Sequence, residues 1–182
     1  GTVDRYTYDG NGQITETVQK DNTTITNTYD GDGRLLSTKD ANGGTTTYTY
    51  DGNGFLSSSV DMLGNTTTYV CDGNGNITSM TDPEGNTTTF TYNEAGYITS
   101  QTTPLGHTYT YAYSDAGKLL SETDPLGNVK SYEYNGNGYE TAVSDWKGNK
   151  TTYNYNSVND LLSKTDRAGG TTTYTYDSWG NL

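Results

Sequence analysis

Six aspartates stand 21 residues, or a multiple of 21, apart: Asp40, Asp61, Asp82, Asp124, Asp145 and Asp166. Carboxylates in pairs can do general acid and base work. Their repetition argues against it here. A catalytic site is a singular feature, and a residue that returns with every period is part of the period. Runs such as Asp9-Gly10-Asn11-Gly12 and Asp51-Gly52-Asn53-Gly54 place oxygens at alternate positions, as calcium loops do. No bidentate Glu follows at a suitable distance, and several copies lose the Asp, so turn chemistry accounts for the runs. The single histidine, His107, stands where other periods carry Gly or Asn, and is expected in an exposed turn. Cys71 is the single cysteine, so no intrachain disulfide is available. It occupies a tyrosine position, which points to a buried stand-in rather than a reactive thiol. No nucleophile, metal or phosphate motif is present, so neither an enzyme nor a cofactor is expected.

Two further chemistries are open to these residues. Asn-x-Ser/Thr triplets at Asn22, Asn65, Asn76, Asn86 and Asn149 are formal glycosylation acceptors. A chain this rich in Asn and Thr generates such triplets by composition. Rows of tyrosine can stack on sugars, yet 15 of the 18 tyrosines fall in two fixed columns, which reads as core. Tyr97, Tyr109 and Tyr139 lie elsewhere. The net charge of -12 argues against nucleic acid and anionic membranes as partners. No transmembrane run or signal peptide is seen.

The elements that would position these residues follow from one period. Tyr8, Tyr29, Tyr50, Cys71, Tyr92, Tyr113, Tyr134, Tyr155 and Tyr176 recur every 21 residues through eight full periods and most of a ninth. Each is followed by Asp, Asn or Ser. Side chains alternate along a strand, so in 45–50 the side chains of Thr46, Tyr48 and Tyr50 share one face while Thr45, Thr47 and Thr49 share the other. The Tyr face is expected to be packed and the Thr face wet. A turn follows, ending in a glycine at 12, 33, 54, 75, 96, 117, 138 and 180 (Gly12, Gly33, Gly54, Gly75, Gly96, Gly117, Gly138 and Gly180). Asn159 takes that place once, as the residue next best able to adopt a left-handed conformation. A second strand carries an aliphatic at Ile14, Leu35, Leu56, Ile77, Ile98, Leu119, Leu161 and Leu182, with Glu140 as the exception. A second turn, clearest at Asp82-Pro83-Glu84-Gly85, closes the period.

The period is therefore strand, turn, strand, turn, and the chain is all-β with roughly 17 strands. With only 29% hydrophobic residues, a conventional aliphatic core cannot form. The short turns favour tandem β-hairpins in a long, twisted or spiralling antiparallel sheet; coils of a parallel β-solenoid are the alternative. Residues 1–182 are expected to form a single repeat array. It starts and stops partway through a period, as a segment of a longer chain does.

The motif Tyr-x-Tyr-Asp, then x-x-Gly-Arg-Leu, then Asp-Pro-x-Gly-x-Thr-Thr-x-Tyr resembles the Rhs or YD repeat. Residues Tyr29-Asp30-Gly31-Asp32-Gly33-Arg34-Leu35 fit its core residue for residue, and the resemblance covers the whole chain. It implies an antiparallel strip that spirals into a hollow shell, secreted or on the cell surface. Relatives include animal teneurins and bacterial toxins whose shell encloses a C-terminal toxic domain. Two departures stand out. The repeats are uniform, without the insertions and terminal core region of the family's shells, and the arginine after the turn glycine survives only as Arg34 and, loosely, Lys118.

The expected function is a non-enzymatic extracellular scaffold, part of a shell around a cargo or toxin domain. A self-assembling surface fibre or adhesin is the alternative, and a glycan- or receptor-binding repeat is the third reading. The expected partners are the rest of a longer polypeptide or copies of the chain.

Overall fold

The computed structural model describes residues 4–181. Leu182, expected to close the aliphatic column, lies outside them. The chain forms two compact units, Gly1–Thr89 and Phe90–Leu182, with the division inside one strand. The first unit holds β1 (Arg5–Tyr8), β2 (Ile14–Val18), β3 (Thr24–Tyr29), β4 (Leu35–Lys39), β5 (Thr45–Tyr50), β6 (Leu56–Val60), β7 (Thr66–Cys71), β8 (Ile77–Thr81) and the start of β9 (Thr87–Tyr92). The second holds the rest of β9, then β10 (Ile98–Thr102), β11 (Thr108–Tyr113), β12 (Leu119–Thr123), β13 (Val129–Tyr134), β14 (Glu140–Ser144), β15 (Lys150–Tyr155), β16 (Leu161–Thr165) and β17 (Thr171–Thr173).

Neighbouring strands within each unit pair antiparallel, which rules out the solenoid coil, whose neighbours would be parallel. Tyr and Thr favour this pleated, half-covered surface. The expected alternation is present: in β5 the Thr45, Thr47 and Thr49 side chains are exposed while Thr46, Tyr48 and Tyr50 are half-buried. Tyr109, outside the two tyrosine columns in sequence, shares the tyrosine face in β11.

Both turns of the period have one geometry, although their sequences differ. In 51–54, the Gly54 N–H donates to the Asp51 carbonyl (3.0 Å), and the Asp51 N–H donates to the Phe55 carbonyl (2.8 Å). The fourth residue is left-handed, at φ 85° for Gly54. This is a β-turn closed by a left-handed residue, the three-residue hairpin arrangement that glycine favours. Among the described residues, Asn22 and Asn159 are the two non-glycines with positive φ, at 66° and 69°, and both stand at this fourth position.

One feature is silent in the composition. Next to the first turn, Tyr50 pairs with Leu56 but Thr49 pairs with Ser58, so Ser57 is an extra, bulged residue. The same slip recurs at Thr15, Leu36, Thr78, Leu120, Thr141 and Leu162. A bulge at the same place in each hairpin bends the strand and raises its right-handed twist.

The tyrosine face is the better protected of the two, as expected, without being sealed. Among the described residues only Ala142 (2% exposed) and Ser144 (9%) are buried, and no tyrosine is. No second sheet lies over the tyrosines in either unit, so they stay half-covered. The two buried residues lie on the other face, in β14. There Glu133 is opposite Ala142 and Lys150 is opposite Ser144, and the Lys150 Nζ–Glu133 Oε1 bond of 2.7 Å crosses the strand between them. Ser131 adds a backbone N–H and a hydroxyl to the Ser144 Oγ, each at 2.8 Å.

Candidate functional site

The aspartate columns are committed to their own turns. Asp51 Oδ1 accepts the Asn53 and Phe55 amides, both at 2.9 Å. Asp61, Asp82, Asp124 and Asp145 make the same bond to the amide four residues on and also take that residue's side-chain nitrogen, as Asn149 Nδ2 to Asp145 Oδ2 at 2.9 Å shows. These bonds favour the ionised form. They hold Asp61, Asp72, Asp82, Asp124 and Asp177 below the usual carboxylate range, the asparagine side chain being the main cause. Asp145 falls to about 2, led by Asn149 with Lys147 and Arg167 assisting. A hydroxyl substitutes where Asp is missing: Thr103 Oγ1 accepts the His107 amide at 3.2 Å, and Ser114 Oγ the Lys118 amide at 3.1 Å. His107 is exposed and outside the strands, as its position implied. Among the described residues no three His, Cys, Asp or Glu side chains converge as a metal site would require.

Four of the five Asn-x-Ser/Thr asparagines sit in this device. Asn65, Asn76, Asn86 and Asn149 donate their side-chain nitrogens to Asp61, Asp72, Asp82 and Asp145. Asn22 takes the left-handed turn position. A glycan would have to be attached at the nitrogen that closes the turn.

The tyrosine column does more than cover surface. Tyr29 donates its hydroxyl to the Ile14 carbonyl (2.9 Å), Tyr50 to Leu35 (2.8 Å), Tyr134 to Leu119 (3.0 Å), Tyr155 to Glu140 (2.9 Å) and Tyr176 to Leu161 (3.0 Å). Each acceptor lies 15 residues earlier, at the aliphatic position of the preceding repeat. The backbone explains the need. The register between β4 and β5 ends at Ser37 opposite Thr47. In the last repeat the Tyr174 N–H reaches the bulged Leu162 carbonyl (2.9 Å), and the next carbonyl, Leu161, is met by the Tyr176 hydroxyl instead of a backbone N–H. The side chain continues the ladder where the bulge ends it. Tolerance of Cys at this column suggests burial without hydroxyl chemistry; the geometry overturns that reading. Cys71 itself points its Sγ at the Leu56 carbonyl, at 3.7 Å, as a weak donor in the same place. Its thiol is pushed up by burial, with Asp51 and Asp72 adding to the shift.

A second column, marked in sequence only by the arginine position at Arg34 and Lys118, completes the joint. It is the residue after the turn glycine. Arg34 stands over the Tyr50 ring (5.3 Å to the centroid) and Lys118 over Tyr134 (5.6 Å). Tyr97 stacks on Tyr113 with centroids 5.0 Å apart, and Tyr139 tilts onto Tyr155 at 5.6 Å. Each covers the column tyrosine 16 residues on. The same side chains touch the next turn glycine. A Cβ on Gly75 would lie 2.7 Å from Phe55 Cε1, and one on Gly54 2.6 Å from Arg34 Nη1. Gln13 donates instead to the Gly33 carbonyl, at 2.6 Å. Tyrosine, turn glycine and covering residue thus form one joint that adds side-chain ties between a repeat and its predecessor to the backbone pairing of their strands. It presents no nucleophile beside a base.

Residues 29–66, 50–87, 72–108, 92–129, 113–150 and 155–182 match the model of the family described as RHS Repeat. In fold, the chain is similar to the TcdB2–TccC3 crystal structure, with 18% identity, a TM-score of 0.69 and 90% of this chain covered. The crystal structure of TcdB2–TccC3–Cdc42 matches 97% of the chain at 17% identity and a TM-score of 0.63. The Photorhabdus luminescens Tc holotoxin pore, with a TccC3 mutation, matches 94% at 16% identity and a TM-score of 0.50. The chain spans 11%, 12% and 13% of those three chains, respectively. No curated protein matches it.

Proposed function

The chain belongs to the RHS repeat family, and we propose that it is a length of wall in an extracellular, non-enzymatic β-shell that encloses a cargo or toxin segment of the same, longer polypeptide. The observation that carries this reading is the joint repeated at Tyr29, Tyr50, Tyr134, Tyr155 and Tyr176. Like couplings between like units add a similar step per repeat, which builds a large surface from little sequence information. The polar, charged side chains that elsewhere would form a site are spent on holding turns. The similarity in fold to Tc toxin complexes supports a toxin-related setting.

Limited proteolysis of the full-length protein tests enclosure. A shell keeps the enclosed segment intact until the wall is denatured, so both should be lost together. Immediate cleavage of that segment while the repeats persist would reject the reading and favour a surface fibre.

A further inference from the structure

We propose that Tyr97 and Tyr113 form an oxidative cross-linking site, at which a one-electron oxidant joins the two phenol rings and staples one repeat covalently to the next. The rings are nearly parallel, at 23°, with centroids 5.0 Å apart. The rings lie face to face, so a direct bond requires them to close and slide until their ortho carbons meet. Tyr97 is 41% exposed, so a diffusing oxidant or a peroxidase reaches it; Tyr113 is half-buried beneath it.

Tyr113 is set apart from its column. Tyr29, Tyr50, Tyr134, Tyr155 and Tyr176 tether their hydroxyls to a carbonyl, whereas among the described residues Tyr113 makes no such bond. Its ring is free to shift toward Tyr97. The pair at Tyr139 and Tyr155 is the internal comparison. It is more distant, at 5.6 Å and 49°, and the Tyr155 hydroxyl is held by the Glu140 carbonyl at 2.9 Å.

The chemistry balances with a peroxide as oxidant and a haem peroxidase as carrier of single electrons. Each phenol loses one electron and its hydroxyl proton to become a phenoxyl radical, with unpaired density on the carbons ortho to oxygen. The two ortho carbons form a C–C bond. Each ring then rearomatises by moving its ortho hydrogen to oxygen as a proton, which restores both phenols. Overall, two phenols and one hydrogen peroxide give one biphenol and two waters. The product closes a loop between residues 97 and 113 that no reductant of disulfides opens.

The test treats the full-length protein, dilute, with hydrogen peroxide and a haem peroxidase, then measures intact mass, dityrosine fluorescence and the peptide map. The expected result is a monomer lighter by two hydrogens, with the Tyr97 and Tyr113 peptides joined in higher yield than those of Tyr139 and Tyr155. Tyr97→Phe should remove that link, and Phe55 at the equivalent position of another repeat shows that the fold accepts the ring. Cross-links found only between molecules, an equal yield at Tyr139–Tyr155, or a link that survives Tyr97→Phe would each overturn the assignment.

Discussion

Removing one hydroxyl separates the joint's two contributions, covering surface and capping a carbonyl. Tyr50→Phe keeps the ring over which Arg34 stands and deletes the 2.8 Å bond to the Leu35 carbonyl. If the column served burial alone, phenylalanine would be neutral or better, since it sheds a polar atom. If the hydroxyl continues the ladder, the change costs a net hydrogen bond, about 1 kcal/mol. The half-buried site lets some water replace the lost donor, so the cost should not approach the value of a sealed orphan carbonyl. The bond links two repeats, so it weakens coupling between units more than either unit itself. Amide hydrogen exchange reads this locally: protection around 35–37 and 47–50 should fall by about fivefold, with distant repeats unchanged. Replacing Tyr29, Tyr50, Tyr134, Tyr155 and Tyr176 together should cost about 5 kcal/mol, because the sites are far enough apart to add. That shows as a lower urea midpoint and a broader transition. An unchanged or raised midpoint in the five-site variant would mean that the column serves burial alone.

The turn glycines divide by what stands against them. Gly12→Ala meets nothing within 4 Å and should cost only the left-handed conformation, about 1 kcal/mol. Gly75→Ala also strikes Phe55 and should lose about 1 kcal/mol more, an excess that Phe55→Ala removes; equal urea midpoints for both glycine variants contradict this. Acid sensitivity follows from the turn aspartates. Their folded-state values lie below the ordinary 3.8, so the unfolded chain binds more protons and stability rises with pH across that window. The contribution is complete above pH ~4 and is lost as pH falls toward about 2, where Asp145 titrates. A urea midpoint that stays flat from pH 5 to 2 would oppose it. Deleting 21 residues should leave a folded array, measured by circular dichroism. Deleting one strand and turn should not, because it sets two tyrosine-bearing strands side by side and strands their carbonyl acceptors.

The strand order, the alternation of Tyr48 and Tyr50 with the threonines, and the left-handed Asn159 were legible because each follows from residue type and period. Three things were not. The bulge at Ser57 and its equivalents is a matter of register, which leaves no compositional trace when Thr, Leu and Ser all occupy it. The hydroxyl bond was masked by Cys71, whose substitution reads as indifference to oxygen until its sulfur is seen over the same carbonyl. The covering role of the position after the turn glycine escaped because cations at Arg34 and Lys118 alternate with phenols at Tyr97 and Tyr139, so it read only as a thinned arginine column; a fixed spacing of 16 residues to a column tyrosine was the available signal. Half-burial of the tyrosine face follows from the same logic: alternation says which face is better protected, while full burial needs a second layer.

A wall of repeated joints around a cargo would be visible in the whole particle. Electron cryo-microscopy of the full-length protein should show a closed particle with the repeats as its wall and additional density inside. An open filament of uniform repeats, with no enclosed volume, would contradict enclosure.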